Sequence, residues 1–153
     1  MLTWQWSHFE SLNVGDLYAL LAARNAVFAV EQNCPYQDLD GFDQQAWHLL
    51  GWLEAQHDLA AYCRVIAPGI KYAEPAIGRV LTPQQYRSAG LGRQLMTQAL
   101  ARTAALYPGQ AIRIAAQQRL EKFYADFGFT IASGVYMEDG IAHVEMLRPA
   151  PIV

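Results

Sequence analysis

The chain has 153 residues, suited to one domain, since single hydrophobic cores are commonest at roughly 100–150 residues. Apolar residues make up 53% and charged residues 16%, which excludes disorder as the main state. The formal charge is −3, with 11 scattered Lys and Arg against 14 carboxylates, so nucleic acid is not an expected partner.

Residues 3–8 alternate with period two, as a half-buried strand does. Residues 14–30 read as a helix: Leu17, Leu20, Leu21, Arg24, Val27 and Phe28 recur at spacings of three and four, and Asn13 is placed to cap it. A polar loop follows over 31–46, broken by Pro35 and Gly41. Residues 47–54 and 59–66 read as paired strands joined by a short polar link. Ala76–Thr82 is the next strand and 91–106 a helix, with Leu91, Leu95, Met96, Ala99 and Leu100 along one face. Ile112–Ala116 is a short buried strand, and 119–127 a short helix ended by Gly128. Strands near 129–136 and 141–148 close the chain around the turn Glu138-Asp139-Gly140. The order predicts a mixed α/β domain over 1–153, with a parallel crossover around the 91–106 helix.

Cys34 and Cys63 form no CxxC and are expected as reduced thiols of a cytoplasmic protein. Residues 1–10 lack the basic and apolar stretches of a signal peptide, and no apolar run approaches the roughly 20 residues of a membrane span.

Chemistry concentrates in residues 76–96, where a strand enters a glycine-containing loop that opens a helix. Backbone N–H groups and the helix dipole there suit a pyrophosphate. Gly90 and Gly92 permit close approach, and Arg87 and Arg93 offer charge-assisted bonds. The same glycines also serve a plain strand-to-helix turn. A Walker A loop is excluded by the lack of Gly-Lys-Ser/Thr, and a Rossmann fingerprint by Leu95, where the third glycine would stand.

Arg87-Ser88-Ala89-Gly90-Leu91-Gly92 resembles the Q/R-x-x-G-x-G/A signature of the GCN5-related N-acetyltransferase (GNAT) superfamily at every position. Phe123-Tyr-Ala-Asp-Phe-Gly-Phe129 is similar to its next motif. Arg24–Tyr36, Asp40-Gly-Phe-Asp43 and Glu138–His143 resemble the ElaA branch, so the likeness spans nearly the whole chain. It implies a central, mostly antiparallel twisted sheet with one splayed parallel pair and helices on both faces. It implies acetyl-CoA bound by the backbone of Ser88, Ala89, Gly90, Leu91, Gly92 and Arg93. Arg87 opens that loop, and Val80, Leu81 and Thr82 lie along the pantetheine.

The resemblance also implies a general acid at Tyr124, which from spacing alone would be a core aromatic beside Phe123 and Phe127. An alkylammonium must lose its proton before attacking a thioester. Glu31, Asp38, Asp40, Asp43, His48 and His143 are the candidate bases, Glu31 leading. The stretch 31–46 contains Glu31, Asp38, Asp40 and Asp43 and no Lys or Arg, so it is expected to draw a cationic amine. Asp40 and Asp43 are accordingly candidate acceptor ligands. Arg24, unusual on an apolar stripe, either caps a buried carboxylate such as Glu31 or binds an acceptor carboxylate. His143 either reaches the acceptor cleft or is a satisfied strand histidine. No metal is expected.

The implied activity is acetyl-CoA-dependent acetylation of a primary amine, on a small molecule or a peptide, by direct attack in a ternary complex. The protein is expected to be a monomer or homodimer. Two other readings stand beside it: an acyl-CoA-binding or partner-binding module without catalysis, and an enzyme similar to acyl-homoserine-lactone synthases.

Overall fold

The computed structural model describes residues 2–152. Among these residues eight strands, β1 (Leu2–His8), β2 (Trp47–Leu53), β3 (Asp58–Ile66), β4 (Ala76–Leu81), β5 (Ile112–Gln117), β6 (Thr130–Ile131), β7 (Tyr136–Glu138) and β8 (Ile141–Arg148), form one sheet in the order β1-β2-β3-β4-β5-β8-β6, with β7 also paired to β8. Every pairing is antiparallel except β4 with β5. Among the described residues no helix is long and apolar enough to cross a membrane.

β1 (Leu2–His8) lies beside β2 (Trp47–Leu53), with Trp4 opposite Gly51 and Trp6 stacked on Trp47 at 5.1 Å. Between them comes α1 (Val14–Arg24), whose first turn is capped by Asn13 Oδ1 accepting from the Asp16 N–H at 2.7 Å. The helix predicted over 14–30 runs on to Glu31, but from Asn25 it widens into a π-helix. Cys34 N–H, for example, donates to Ala29 O five residues back.

β3 (Asp58–Ile66) is an interior strand, buried from Leu59 to Ile66. It faces β4 (Ala76–Leu81), where Tyr62 sits opposite Leu81 and Arg64 opposite Gly78. Two residue steps on β3 thus meet three on β4, a bulge centred on Arg79, whose φ is +52°. The bulge bends β4. β4 is in register with β5 (Ile112–Gln117) at Ala76 and Arg113 alone, and beyond that point the parallel strands part.

α2 (Leu91–Leu106) makes the crossover between them. It buries Leu95, Met96, Ala99 and Leu100 against Leu49, Cys63, Ile77, Ile112 and Ile114. α1 covers the opposite face, with Leu20 and Val27 against Leu50, Leu59, Tyr62 and Leu81. The sheet therefore carries helices on both faces, as expected.

The C-terminal part differs in detail from the sequence reading. The helix predicted over 119–127 is a 3₁₀ turn, Gln118–Leu120, followed by α3 (Glu121–Ala125). The strand predicted near 129–136 is two short ones, β6 (Thr130–Ile131) and β7 (Tyr136–Glu138). Ser133 interrupts it: its hydroxyl accepts the Glu145 N–H at 2.8 Å, a bond the ladder would otherwise give to a backbone carbonyl. β7 turns into β8 (Ile141–Arg148) through Asp139 and Gly140, both with positive φ (53° and 76°), the geometry of a two-residue hairpin.

Candidate active site

β4 leads through Pro83 and a 3₁₀ turn, Gln84–Tyr86, into the loop Arg87–Gly90. Ser88 and Gly90 both adopt left-handed φ, 75° and 74°. For Ser88 this is a strained conformation, of the sort held where a loop must aim its backbone. The ladder of α2 begins with Gln94 N–H donating to Gly90 O at 3.2 Å. Leu91, Gly92 and Arg93 therefore present N–H groups with no partner within the helix. No side chain caps this end and no acidic residue lies in its first turn. The result is a positive, donor-rich helix terminus on a 16-residue helix, directed by a bent strand.

Two cavities meet beside this terminus. The first, about 270 Å³, lies between the parted strands and is lined by Val80, Leu81, Thr82, Arg87, Gly92, Gln117, Phe123 and Tyr124. The second, about 140 Å³, opens on the other side and is lined by Lys71, Tyr72, Gly78, Ile114, Ile141 and His143 among others. Phe28, Gln32, Val80, Gln117, Leu120 and Tyr124 belong to both walls. The divergence of β4 from β5 creates this passage, and the π-helical end of α1 supplies Phe28.

Tyr124 is buried, packed edge-on against Phe123 and Phe129 at 5.1 and 6.1 Å. Burial pushes its phenol above the usual tyrosine range, which keeps the proton on the oxygen at any working pH. His143 stands opposite Gln117 in the β5–β8 register. Its Nδ1 is 2.7 Å from Ile141 O. A carbonyl only accepts, so Nδ1 donates to it, and Nε2 lies 3.6 Å from Glu138.

Other sequence expectations are corrected. Arg24 caps a carboxylate, but its partners are Asp43 (2.6 Å) and Asp38 (2.7 Å) rather than Glu31. Its side chain is 0% exposed, so it offers nothing to an acceptor. The loop over 31–46 is not an uncompensated acidic surface. Arg64 grips both oxygens of Asp40 at 2.8 Å and reaches Asp43 at 3.0 Å, and Arg79 pairs with Asp38 at 2.7 Å and Asp40 at 3.2 Å. Three guanidinium groups thus close on three carboxylates. Asp40 and Asp43 line neither cavity. Burial opposes the charge on both, but these guanidinium groups outweigh it and hold them below the usual carboxylate range.

His48 is buried between Tyr62 Oη (2.6 Å) and Asp43 O (3.0 Å), away from both cavities. Glu31 lines the first cavity and not the second, and is held by Arg87 at 2.6 and 2.9 Å. Arg87 also donates to Thr82 O at 2.9 Å. Arg93 turns outward to Asp126 at 2.8 Å, with the rings of Phe123 and Phe127 below it. Cys34 lines the second cavity, its thiol 3.7 Å from Asp139 O.

Sequence reasoning missed Phe28, Gln32, Lys71 and Gln117. Of these only Gln117 left a signal, as the polar end of the otherwise apolar run from Ile114 to Ala116.

The family profile for the acetyltransferase (GNAT) domain matches residues 25–148, and the chain belongs to this family of N-acyltransferases, whose fold binds acyl-CoA. Its relatives include protein ElaA of Escherichia coli, 42% identical over 150 residues that cover 97% of both chains. The UPF0039 protein sll0451 of Synechocystis is 39% identical over 98% of this chain and 97% of its own. Among solved structures, an acyl-CoA N-acyltransferase from Pseudomonas aeruginosa superposes with a TM-score of 0.92 at 39% identity, covering 97% of this chain and 99% of that one. The structure of E. coli ElaA superposes with a TM-score of 0.90 over the same shares.

Proposed function

We propose that the protein is an acetyl-CoA-dependent N-acetyltransferase acting on a primary amine, borne by a small molecule or a peptide, by direct attack in a ternary complex. The observation that carries this reading is the meeting of two cavities at Val80, Gln117 and Tyr124. A donor and an acceptor entering from opposite sides would touch only there.

The first cavity fits acetyl-CoA. The N–H groups of Leu91, Gly92 and Arg93 and the backbone of Ser88–Gly90 would hold its pyrophosphate, joined by Arg87. The open edge of β4 at Val80–Thr82 would hold the pantetheine. Acetyl-CoA supplies an activated thioester. At neutral pH the acceptor arrives as an ammonium. His143 Nε2, directly or through water, accepts its proton, and the nitrogen lone pair attacks the thioester carbon. A backbone N–H of β4 polarises the carbonyl oxygen. As the carbon–nitrogen bond forms and the carbon–sulfur bond breaks, Tyr124 Oη gives its proton to the departing thiolate, and the attacking nitrogen gives up its second proton through water, restoring the phenol and leaving the neutral amide.

The test is to incubate the protein with acetyl-CoA and a panel of primary amines, following free thiol and product mass. Release of one CoA per acetylated amine is expected. Binding of CoA compounds without release from any amine would make the protein a binding module. No binding would overturn the reading altogether.

A further inference from the structure

The second cavity carries one cation that the fold does not use. Arg64 and Arg79 on its wall are engaged by Asp38, Asp40 and Asp43, and Arg24 completes that balanced set behind them. Lys71, in the connection from β3 to β4, lines the same cavity but pairs with no carboxylate among the described residues. Its Nζ rests over the rings of Phe42 and Tyr72, 5.7 Å from each centroid. Ring faces hold an ammonium while accepting none of its N–H bonds well, so its donors stay free for a ligand. Burial and the nearby Arg64 and Arg79 disfavour its charge more than Glu138 and Asp40 favour it, and an incoming anion would add to the favourable side.

The remaining acidic groups on this wall, Glu138 and Asp139, belong to the β7–β8 turn, as does the neighbouring His143. Their strands lie on the far side of β5 from the connection that bears Lys71, with Glu138 near enough to favour the Lys71 charge. Within the cavity an ammonium of the acceptor would face His143 and Glu138, and an anionic group would face Lys71, the cation there without a carboxylate within ion-pair distance among the described residues.

From this geometry we infer that the acceptor is a small amine that also bears a carboxylate, an aminocarboxylate whose anionic end is held by Lys71. The inference rests on the acetyltransferase reading and names the substrate class of the same site.

The test compares aminocarboxylates from glycine to 5-aminopentanoate with alkylamines and diamines of the same carbon count, as acceptors for acetyl-CoA. A carboxylate of fitting length should raise kcat/KM by about 10- to 100-fold, the range of a charge-assisted hydrogen bond, chiefly through KM. Lys71→Met should remove that preference, bringing kcat/KM for the aminocarboxylates down to that of the alkylamines with the same variant, and keep the melting temperature. Lys71→Arg should restore most of it. A preference for diamines, or a carboxylate preference that survives in Lys71→Met, would overturn the inference. A second measurement does not depend on turnover: the melting temperature of the CoA-saturated protein with the N-acetylated aminocarboxylates. A rise lost in Lys71→Met supports the inference, and no rise overturns it. If CoA compounds bind and no amine of any series is acetylated, the acetyltransferase reading fails separately.

Discussion

The guanidinium of Arg87 holds both carboxylate oxygens of Glu31, at 2.6 and 2.9 Å, across 56 residues of sequence. The pair ties the glycine loop before α2 to the π-helical end of α1, over the mouth of the first cavity. Both side chains are partly exposed, so the pair contributes about 0–1 kcal/mol to stability. Glu31→Gln should therefore shift the melting temperature by less than about 4 °C. It should leave kcat within a few-fold, and tighten CoA binding by freeing Arg87. Arg87→Ala should weaken CoA about tenfold or more, a charge-assisted bond lost. Titrations of CoA with both variants check the two expectations, and a collapse of kcat in Glu31→Gln would return Glu31 to the role of base.

Tyr124→Phe removes the acid and keeps the packing against Phe123 and Phe129. The expected loss is about 10²–10⁴ in kcat. Acetyl-CoA affinity should be little changed, which separates a chemical from a structural role. Steady-state kinetics with a thermal-shift titration on the same preparation give both numbers.

His143→Gln should lower kcat/KM by about 10²-fold at neutral pH, the lower end of the range for a general base. Raising the pH should narrow the deficit, because more of the acceptor is already unprotonated. A deficit constant across pH would mean that His143 only shapes the cavity.

Asp43→Asn leaves Arg24, with no solvent exposure, short of one anion. Breaking a buried pair costs about 3–5 kcal/mol, or roughly 6–20 °C in melting temperature for a chain of this size. In the unaltered protein, burial holds His48 below its usual range and so neutral, whereas an unfolded chain takes up a proton below about pH 6.5. Stability should begin to fall there. Asp40 and Asp43 contribute fully above about pH 4, their unfolded value, and lose that contribution as pH falls towards their depressed folded values. Melting curves from pH 8 to pH 3 should show a gentle decline and then a steeper one.

Gly51 lies under Trp4: a Cβ built there would be 2.8 Å from the indole and 3.2 Å from Ala61 Cβ. Gly51→Ala must push the ring aside, and overpacking of this kind costs about 1–3 kcal/mol. Denaturant unfolding should report that loss with the CoA affinity retained, since β3 separates Gly51 from β4 and Gly51 lines neither cavity.

Elements that bury one face or obey local turn chemistry were legible in the sequence. The alternation of β1, the apolar stripe of α2, the Asn13 cap and the Asp139-Gly140 turn depend on neighbours a few residues away. So does the glycine loop, since left-handed backbone and a helix N-terminus are local properties. The division of the strand over 129–136 was not legible, because Ser133 earns its place only by bonding Glu145 twelve residues on.

The charge of the stretch 31–46 was misread for the same reason. Residues 31–46 contain no cation, yet Arg24, Arg64 and Arg79 reach in from α1, β3 and β4 and close on the three aspartates. By itself the sequence determined the order of elements, the helix terminus that offers its N–H groups, and the tyrosine beside it. Only the tertiary structure decided which carboxylates are paired, that His143 faces the second cavity, and that Lys71 meets no carboxylate partner among the described residues. Charge pairing and cavity walls are set by side chains meeting in space, and pairwise distances across a sheet are not written in residue spacing.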